Sequence, residues 1–131
     1  MVTKIRKLRP DDRDTYQYLK LESFKYKDHY PFPDDIFDRS FVWEEDGQLV
    51  GFCKWMSSGF IDKYAEVGSL MVNPAFRGRG IAKALVAVAV AAALKHFDNV
   101  RMYDTSRYGQ TSKICKGLGF IEKSARDWWY K

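Results

Sequence analysis

Residues 66–85 read E-V-G-S-L-M-V-N-P-A-F-R-G-R-G-I-A-K-A-L, and this stretch decides the fold. A run typical of a β-strand, residues 67–72, stops at the turn pair Asn73-Pro74. A basic loop with two glycines follows, and a helical pattern begins at Ile81. The loop and the first helical turn carry unpaired N–H groups, and the helix dipole favours an anion there. The stretch therefore predicts a phosphate-binding arrangement of strand, loop and helix.

Three basic residues lie at the positive end of this helix: Arg77, Arg79 and Lys83. Each cation opposes the helix dipole at a cost of about 0.3–1 kcal/mol. Such a departure from a local rule is typical of sites where a function requires it, and an anionic ligand would remove the conflict. The alternative interpretation is a solvated basic turn in which the glycines serve the backbone geometry alone.

The composition indicates one globular domain over residues 1–131, because 46% of the residues are hydrophobic and 16% are aromatic. A net charge of +5 favours an anionic partner, such as nucleic acid, an acidic surface or a phosphorylated cofactor. The charges are spread along the chain with no basic tail, which makes nucleic acid the least favoured of these partners.

Two cysteines, Cys53 and Cys115, lack the spacing of metal ligands, so we expect no metal site. Two lone cysteines in a domain of this size are typical of a reducing compartment. The first ten residues are charged and form no signal peptide, and the longest apolar run, residues 84–94, is too short to span a membrane. We therefore expect a cytoplasmic protein without a membrane partner.

The pattern along the chain predicts an α/β (α+β) fold with a mixed, mostly antiparallel sheet of about six strands and helices on both faces. An Asp-Gly pair at Asp46-Gly47 predicts a hairpin turn between two of the strands. The predicted strands cover residues 5–8, 41–44, 49–55, 63–72, 100–104 and 120–130. The first predicted helix is capped by Asp11 or Asp12 and runs through Tyr16, Leu19 and Phe24. The other predicted helices cover residues 34–39, 81–97 and 113–118.

The segment V-N-P-A-F-R-G-R-G-I-A, residues 72–82, resembles the acetyl-CoA signature of the GCN5-related N-acetyltransferase (GNAT) family. The family pattern, Arg/Gln-x-x-Gly-x-Gly/Ala, is filled here by Arg77, Gly80 and Ala82. A second motif of the family, a short helix that ends in Gly-Phe, is similar to residues 114–120. The predicted order of elements fits the family over nearly the whole chain.

The resemblance implies acetyl-CoA as co-substrate and assigns the residues that bind it. Backbone amides of residues 77–82 would bind the pyrophosphate, and the main chain of residues 70–72 would pair with the pantetheine arm at a splay in the sheet. Glycines in the loop would allow close approach to phosphate, and arginine side chains would reinforce the binding. The cofactor-binding residues are thus Leu70, Met71, Val72, Arg77, Gly78, Arg79, Gly80, Ile81 and Ala82.

An acetyl transfer to a primary amine requires a base, because the amine is protonated at pH 7. Some members of the family carry a glutamate at the position of Glu66, six residues before Val72. The even spacing predicts that both side chains lie on one face of the sheet. An ordinary solvated strand carboxylate is the equally favoured alternative.

The acid that would protonate the leaving thiolate is a tyrosine in the family, five residues before the phenylalanine of Gly-Phe. Here that position is Cys115. A thiol can donate a proton, although a small buried hydrophobe is the favoured interpretation of this cysteine. Tyr108 in the preceding loop is a possible substitute, and the reaction can also proceed without an acid.

The resemblance implies an N-acetyltransferase that acts by direct attack in a ternary complex. Its acceptor would be an amine of a small molecule, a protein lysine or a protein N-terminus. An acidic and aromatic loop, residues 25–35, would suit a cationic acceptor through Asp28, Tyr30, Phe32, Asp34 and Asp35, and so would Trp128 and Trp129. Packing of these aromatic residues into the core is the equally favoured alternative. The alternatives are a non-catalytic GNAT-fold module that binds CoA or a protein, and a basic nucleic-acid-binding domain.

Two features concern assembly. The family usually ends with one more strand than the pattern here provides, so we expect that strand to be missing or supplied by a partner. The helix pattern is apolar on every side over residues 84–94, which suggests a homodimer that covers it; the alternative is that its small alanines face water.

Overall fold

Seven strands form one sheet in the computed structural model, which describes residues 3–23, 37–57, 63–106 and 108–131. The order across the sheet is β1-β2-β3-β4-β5-β7-β6, and only the β4–β5 pair is parallel. The strands are β1 (Thr3–Lys7), β2 (Ser40–Glu45), β3 (Gln48–Ser57), β4 (Tyr64–Val72), β5 (Asn99–Tyr103), β6 (Ile121–Ser124) and β7 (Asp127–Tyr130). The mixed, mostly antiparallel sheet is confirmed.

Helices cover both faces of this sheet, as the sequence predicts. They are α1 (Arg13–Ser23), α2 (Ile81–Ala93) and α3 (Gln110–Gly117). Tyr16 and Leu19 of α1 pack with Phe52 and Met71 on one face. The side chains of α2 and α3 share a larger core on the other face with alternate residues of β3 and β4. No helix of the described residues has the length and apolarity needed to cross a membrane.

The hairpin between β2 and β3 forms at Asp46-Gly47, as predicted. Asp46 has φ of 49° and Gly47 has φ of 81°, so both central residues are left-handed. Two such residues form the turn that best matches the twist of paired strands. In contrast, α2 ends at Ala93, earlier than the predicted residue 97, and turns follow over residues 94–96.

The prediction of a missing last strand is wrong. Residues 120–130 form a hairpin rather than one strand, and β7 inserts between β5 and β6, which gives seven strands. The two central turn residues, Ala125 and Arg126, are not typical turn residues, so the sequence carries only a weak turn signal at Ser124 and Asp127. Arg126 adopts φ of 65° there, and its guanidinium donates to the carbonyl oxygen of Ser106 at 2.7 Å. A long-range contact thus accompanies a turn that local propensity encodes only weakly.

A β-bulge in β4 overturns a second prediction, that Glu66 and Val72 share a face. In the β3–β4 ladder, Phe52 pairs with Met71 and Lys54 pairs with Gly68, so two β4 residues oppose one of β3. The bulge reverses the alternation of side chains. Val72 therefore joins the core under α2, whereas Glu66 lies on the opposite face.

Some predictions fall outside the described residues. The aromatic loop, residues 25–35, lies there, and so do the first residues of the predicted helix 34–39. The described remainder of that helix forms a short 3-10 turn, Phe37–Arg39. Asp28, Asp34 and Asp35 consequently have no described position.

Candidate functional site

Strands β4 and β5 separate soon after they begin. Their pairing covers Tyr64 to Glu66 on β4 and ends at the pair Glu66–Arg101. Within the described chain, residues 67–72 of β4 therefore have no β-ladder partner on the β5 side. Their main chain can accept an extended ligand, which would bind as an added strand.

The loop that follows β4 has the backbone expected of an anion site. A 3-10 turn, Pro74–Phe76, is capped by the side chain of Asn73, which accepts from the Ala75 amide at 2.9 Å. Gly78 and Gly80 have φ of 79° and 81°, a conformation that side-chain-bearing residues rarely adopt. An added Cβ on either glycine would face open space among the described residues. The glycines therefore shape the loop and leave its outer side accessible up to the N-terminus of α2.

The basic side chains of this loop make more contacts within the protein than the sequence predicts. Arg79 pairs with the buried carboxylate of Glu45 through Nη2 at 2.9 Å. The Nε of Arg77 donates to the Val72 carbonyl oxygen at 3.1 Å, and its amide donates to Pro74 at 3.4 Å. Since Glu45 already compensates the charge of Arg79, that charge does not by itself require an anionic ligand. Backbone amides of the loop and helix, and the exposed Lys83, remain for an anion.

A cavity of about 510 Å³ opens where β4 and β5 separate. Residues from β3, β4 and β5 and from the segment after β5 line it. They are Lys54, Met56, Glu66, Val67, Gly68, Ser69, Arg101, Tyr103 and Thr105. The cavity therefore lies at the end of the free β4 edge that is farther from the glycine loop.

Glu66 is held at the cavity by Arg101. The Nη1 of Arg101 lies 3.2 Å from Oε2 of Glu66, and its Nε lies 2.7 Å from Oδ1 of Asp127 on β7. The hydrogen bond from Arg101 holds the pKa of Asp127 below its ordinary value. Since the Glu66 side chain is 37% exposed, its carboxylate is oriented by the arginine and still accessible.

Lys54 lies in the β3 position opposite Gly68 and lines the same cavity. It is half-buried, and burial lowers its pKa. The side chains of its strand neighbours, Cys53 and Trp55, enter the core under α2, so that of Lys54 projects on the face of Glu66.

The two candidate acids differ in exposure. Cys115 has no exposed surface and packs in the core under α2, and burial raises the pKa of its thiol to about 12. Tyr108, in the loop before α3, is 71% exposed. A fully buried thiol is poorly placed to meet a leaving group, whereas the exposed Tyr108 is accessible but is not among the residues that line the cavity.

A buried carboxylate organises the region between these candidates. Asp104 follows β5 and accepts hydrogen bonds from the amide and hydroxyl groups of Ser106 and Ser112. Burial opposes its ionisation, but these hydrogen bonds outweigh it and hold the pKa of Asp104 below its ordinary value. Trp128 of β7 donates to the Ser112 hydroxyl at 2.9 Å. Asp104 thereby joins β5, α3 and the final hairpin.

Lys54, Arg101 and Glu45 belong to this region but were not predicted from the sequence. A signal was present for the first two, because each is a cation within an otherwise apolar strand run. Glu45 carried no such signal, because it stands beside the hairpin turn, where a carboxylate is ordinarily solvated.

Comparison with known proteins gives a match to one family model. Residues 5–109 match the model described as the acetyltransferase (GNAT) family. A curated relative, an uncharacterised N-acetyltransferase of Methanocaldococcus jannaschii, is 29% identical over 145 aligned positions. The alignment covers 97% of this chain and 64% of the relative, so the chain spans about two thirds of that protein's length.

Solved structures share the fold. An N-acetyltransferase of Staphylococcus aureus superposes with a TM-score of 0.73 at 19% identity and covers 95% of this chain and 86% of its own. The PaiA N-acetyltransferase of Thermoplasma acidophilum, in complex with coenzyme A, has a TM-score of 0.69 and 18% sequence identity; the match covers 98% of this chain and 97% of that protein. A GNAT acetyltransferase of Brucella melitensis, in complex with acetyl-CoA, has a TM-score of 0.69 and 20% sequence identity; the match covers 98% of this chain and 87% of that protein.

Proposed function

Since the chain belongs to the acetyltransferase (GNAT) family, we propose that it transfers the acetyl group of acetyl-CoA to a primary amine. The observation that carries this proposal is the separation of β4 and β5 between a glycine loop and a cavity that contains a carboxylate. The geometry offers an anion site, an extended main-chain edge and a base along one strand. Fold relatives with acetyl-CoA or CoA support the same co-substrate.

The residues of the donor site fit acetyl-CoA. Gly78 and Gly80 leave the outer side of the loop open, and the amides at the N-terminus of α2 suit a diphosphate. Leu70, Met71 and Val72 offer main-chain groups on the free edge of β4 to the amide-bearing arm. Acetyl-CoA supplies a thioester, whose carbonyl carbon an amine can attack.

The acceptor must lose a proton before it reacts, since a primary amine is protonated at pH 7. Glu66 is the base in this proposal, and Arg101 is the residue that positions it through the 3.2 Å ion pair. Both reactants bind at once, and the amine attacks directly. Tyr108 is the accessible candidate for the acid, and Cys115 serves as part of the core.

The alternative is a CoA-binding module of the same fold without transferase activity. The burial of Cys115 favours it, because the family's acid position then lacks an accessible proton donor. This alternative shares the donor site and differs in chemistry, so activity rather than binding separates the two.

The test measures binding and chemistry separately. Acetyl-CoA should raise the unfolding temperature of the protein, because a ligand that binds the folded state stabilises it. Release of free thiol from acetyl-CoA should then depend on an added amine, drawn from amino acids, polyamines and lysine peptides. Binding without thiol release from any amine would leave the CoA-binding module, and absence of binding would refute both.

A further inference from the structure

The cavity at Glu66 contains a lysine without an anionic partner among the described residues. Lys54 lines the cavity, and no described carboxylate pairs with its ammonium group. Glu66, the carboxylate of the cavity, pairs with Arg101, which also binds Asp127. The described cavity wall therefore carries two cations and one carboxylate, and the carboxylate is already engaged.

A half-buried ammonium group without an anionic partner is unfavourable in free energy. Lys54 is half-buried, and burial lowers its pKa without an opposing interaction from a described carboxylate. Withdrawing a charge from water costs free energy unless another charge compensates it. A ligand with an anionic group in the cavity would supply that compensation, while a second ammonium would be repelled by Lys54 and Arg101.

The position of Lys54 also suits the acceptor rather than the donor. The glycine loop lies beyond Val72 at one end of the β4 edge, whereas Lys54 pairs in register with Gly68 near the other end. Val72 pairs with Gly51, so at about 3.3 Å per residue the three steps along β3 from Gly51 to Lys54 correspond to about 10 Å. The phosphates of a donor bound at the loop are therefore remote from Lys54.

We propose that the acceptor is a small primary amine that also carries an anionic group, a carboxylate or a phosphate, and that Lys54 binds this group while the amine faces Glu66. This inference rests on the proposed function. A cavity of about 510 Å³ lies in the size range of sites for small molecules. The proposal differs from the sequence prediction of a cationic acceptor, which drew on Asp28, Asp34 and Asp35 outside the described residues and on Trp128 and Trp129 of β7.

The test compares acceptors that differ in one charge. Initial rates of thiol release are measured for 4-aminobutanoate, 3-aminopropylphosphonate, 4-aminobutanamide and 1,4-diaminobutane, with a glycine-to-6-aminohexanoate series for spacer length. Wild-type protein should use an anionic acceptor with a kcat/KM about 10- to 100-fold above that of the neutral amide, as for a hydrogen-bonded charge. A higher value for the carboxylate or the phosphonate identifies the group.

Variants then assign the preference to one residue. Lys54→Met should abolish it, mainly through a higher KM for the anionic acceptor, and Lys54→Glu should favour the diamine. Lys63→Met is the matched control, because Lys63 is exposed just before β4 and does not line the cavity. Unchanged stabilisation by acetyl-CoA in each variant shows that fold and donor site are intact.

The outcomes separate the two proposals. Equal rates for anionic and neutral acceptors, or a preference that persists in Lys54→Met, would overturn the assignment of Lys54 and leave the acetyltransferase standing. Absence of thiol release with every amine, despite acetyl-CoA binding, would refute the proposed function and this inference together.

Discussion

At the scale of single residues, Glu66 is the group on which the proposed chemistry depends. Its ion pair with Arg101 fixes the carboxylate at the cavity, and its partial exposure leaves it accessible. The bulge in β4 places it on the face opposite to Val72, so the cavity side and the core side of the strand are distinct. The role of base is therefore compatible with the geometry, although the face predicted from the spacing was wrong.

Glu66→Gln should lower kcat/KM by about 10²- to 10⁴-fold, the usual contribution of a general base. The residual rate should rise with pH toward the pKa of the amine, near 10.4, because only the neutral amine then reacts. Thiol release measured from pH 6 to 10 checks this. Glu22→Gln, on the exposed side of α1, is the control. An unchanged rate and pH profile in Glu66→Gln would remove the residue from the mechanism.

The loop glycines and Glu66 were proposed from the sequence, because spacing and a family motif are local features. The glycines adopt the positive φ that such a loop requires, and Glu66 lines the cavity. Arg101 and Glu45 were not predicted, because their ion-pair partners come from other elements, and Lys54 was not, because its place at the cavity depends on its register with β4. Pairings such as Arg79–Glu45 join residues 34 positions apart, and no local pattern encodes them.

At the scale of elements, the glycine loop can be tested against a matched turn in the same chain. Gly80 and Gly47 share φ of 81°, and a Cβ on either faces open space among the described residues. Alanine at either position should cost about 1–2 kcal/mol of stability, the penalty for a left-handed residue with a Cβ. Gly47 belongs to the β2–β3 turn and not to the glycine loop, although Glu45 beside the turn pairs with Arg79.

Gly80→Ala should therefore also weaken acetyl-CoA binding by about 10-fold or more, whereas Gly47→Ala should change stability alone. Chemical denaturation gives the first quantity, and calorimetric titration with acetyl-CoA gives the second. Equal affinities in the two variants would exclude the loop from the donor site.

Most elements were predictable because their apolar periodicity and turn residues agree with the tertiary fold. The final hairpin was not, since its turn at Ala125-Arg126 relies on contacts of Arg126 with Ser106 and Asp104. The bulge at Ser69 was missed for a similar reason. Ser69 has φ of 54°, and a serine in a strand gives no sign of that conformation.

At the scale of the whole molecule, two buried thiols make the free energy of unfolding fall as the pH rises above 9. Burial raises the pKa of Cys53 and of Cys115 from 9.0 to about 12. Above pH 9 the unfolded chain releases these protons and the folded chain retains them. Unfolding is then favoured, so their contribution to stability is complete below pH 9 and is lost as the pH approaches 12.

The double variant Cys53→Ala/Cys115→Ala should be less stable at pH 7, by about 1 kcal/mol per site, because each change leaves a small cavity. Its stability should nevertheless fall less steeply between pH 9 and 11 than that of the wild type. Urea unfolding under reducing conditions across this range measures both. Parallel curves would show that the two thiols do not titrate differently in the folded state.

The bulge at Ser69 separates β4 into two parts that would bind ligands through different chemical groups. Before it, Glu66 and its neighbours present side chains to the cavity; after it, Leu70 and Met71 offer main-chain groups to the proposed donor. Side chains change with every substitution, whereas main-chain groups do not. In the proposed enzyme the acceptor can therefore diverge through residues 64–68 while the means of holding acetyl-CoA stays the same.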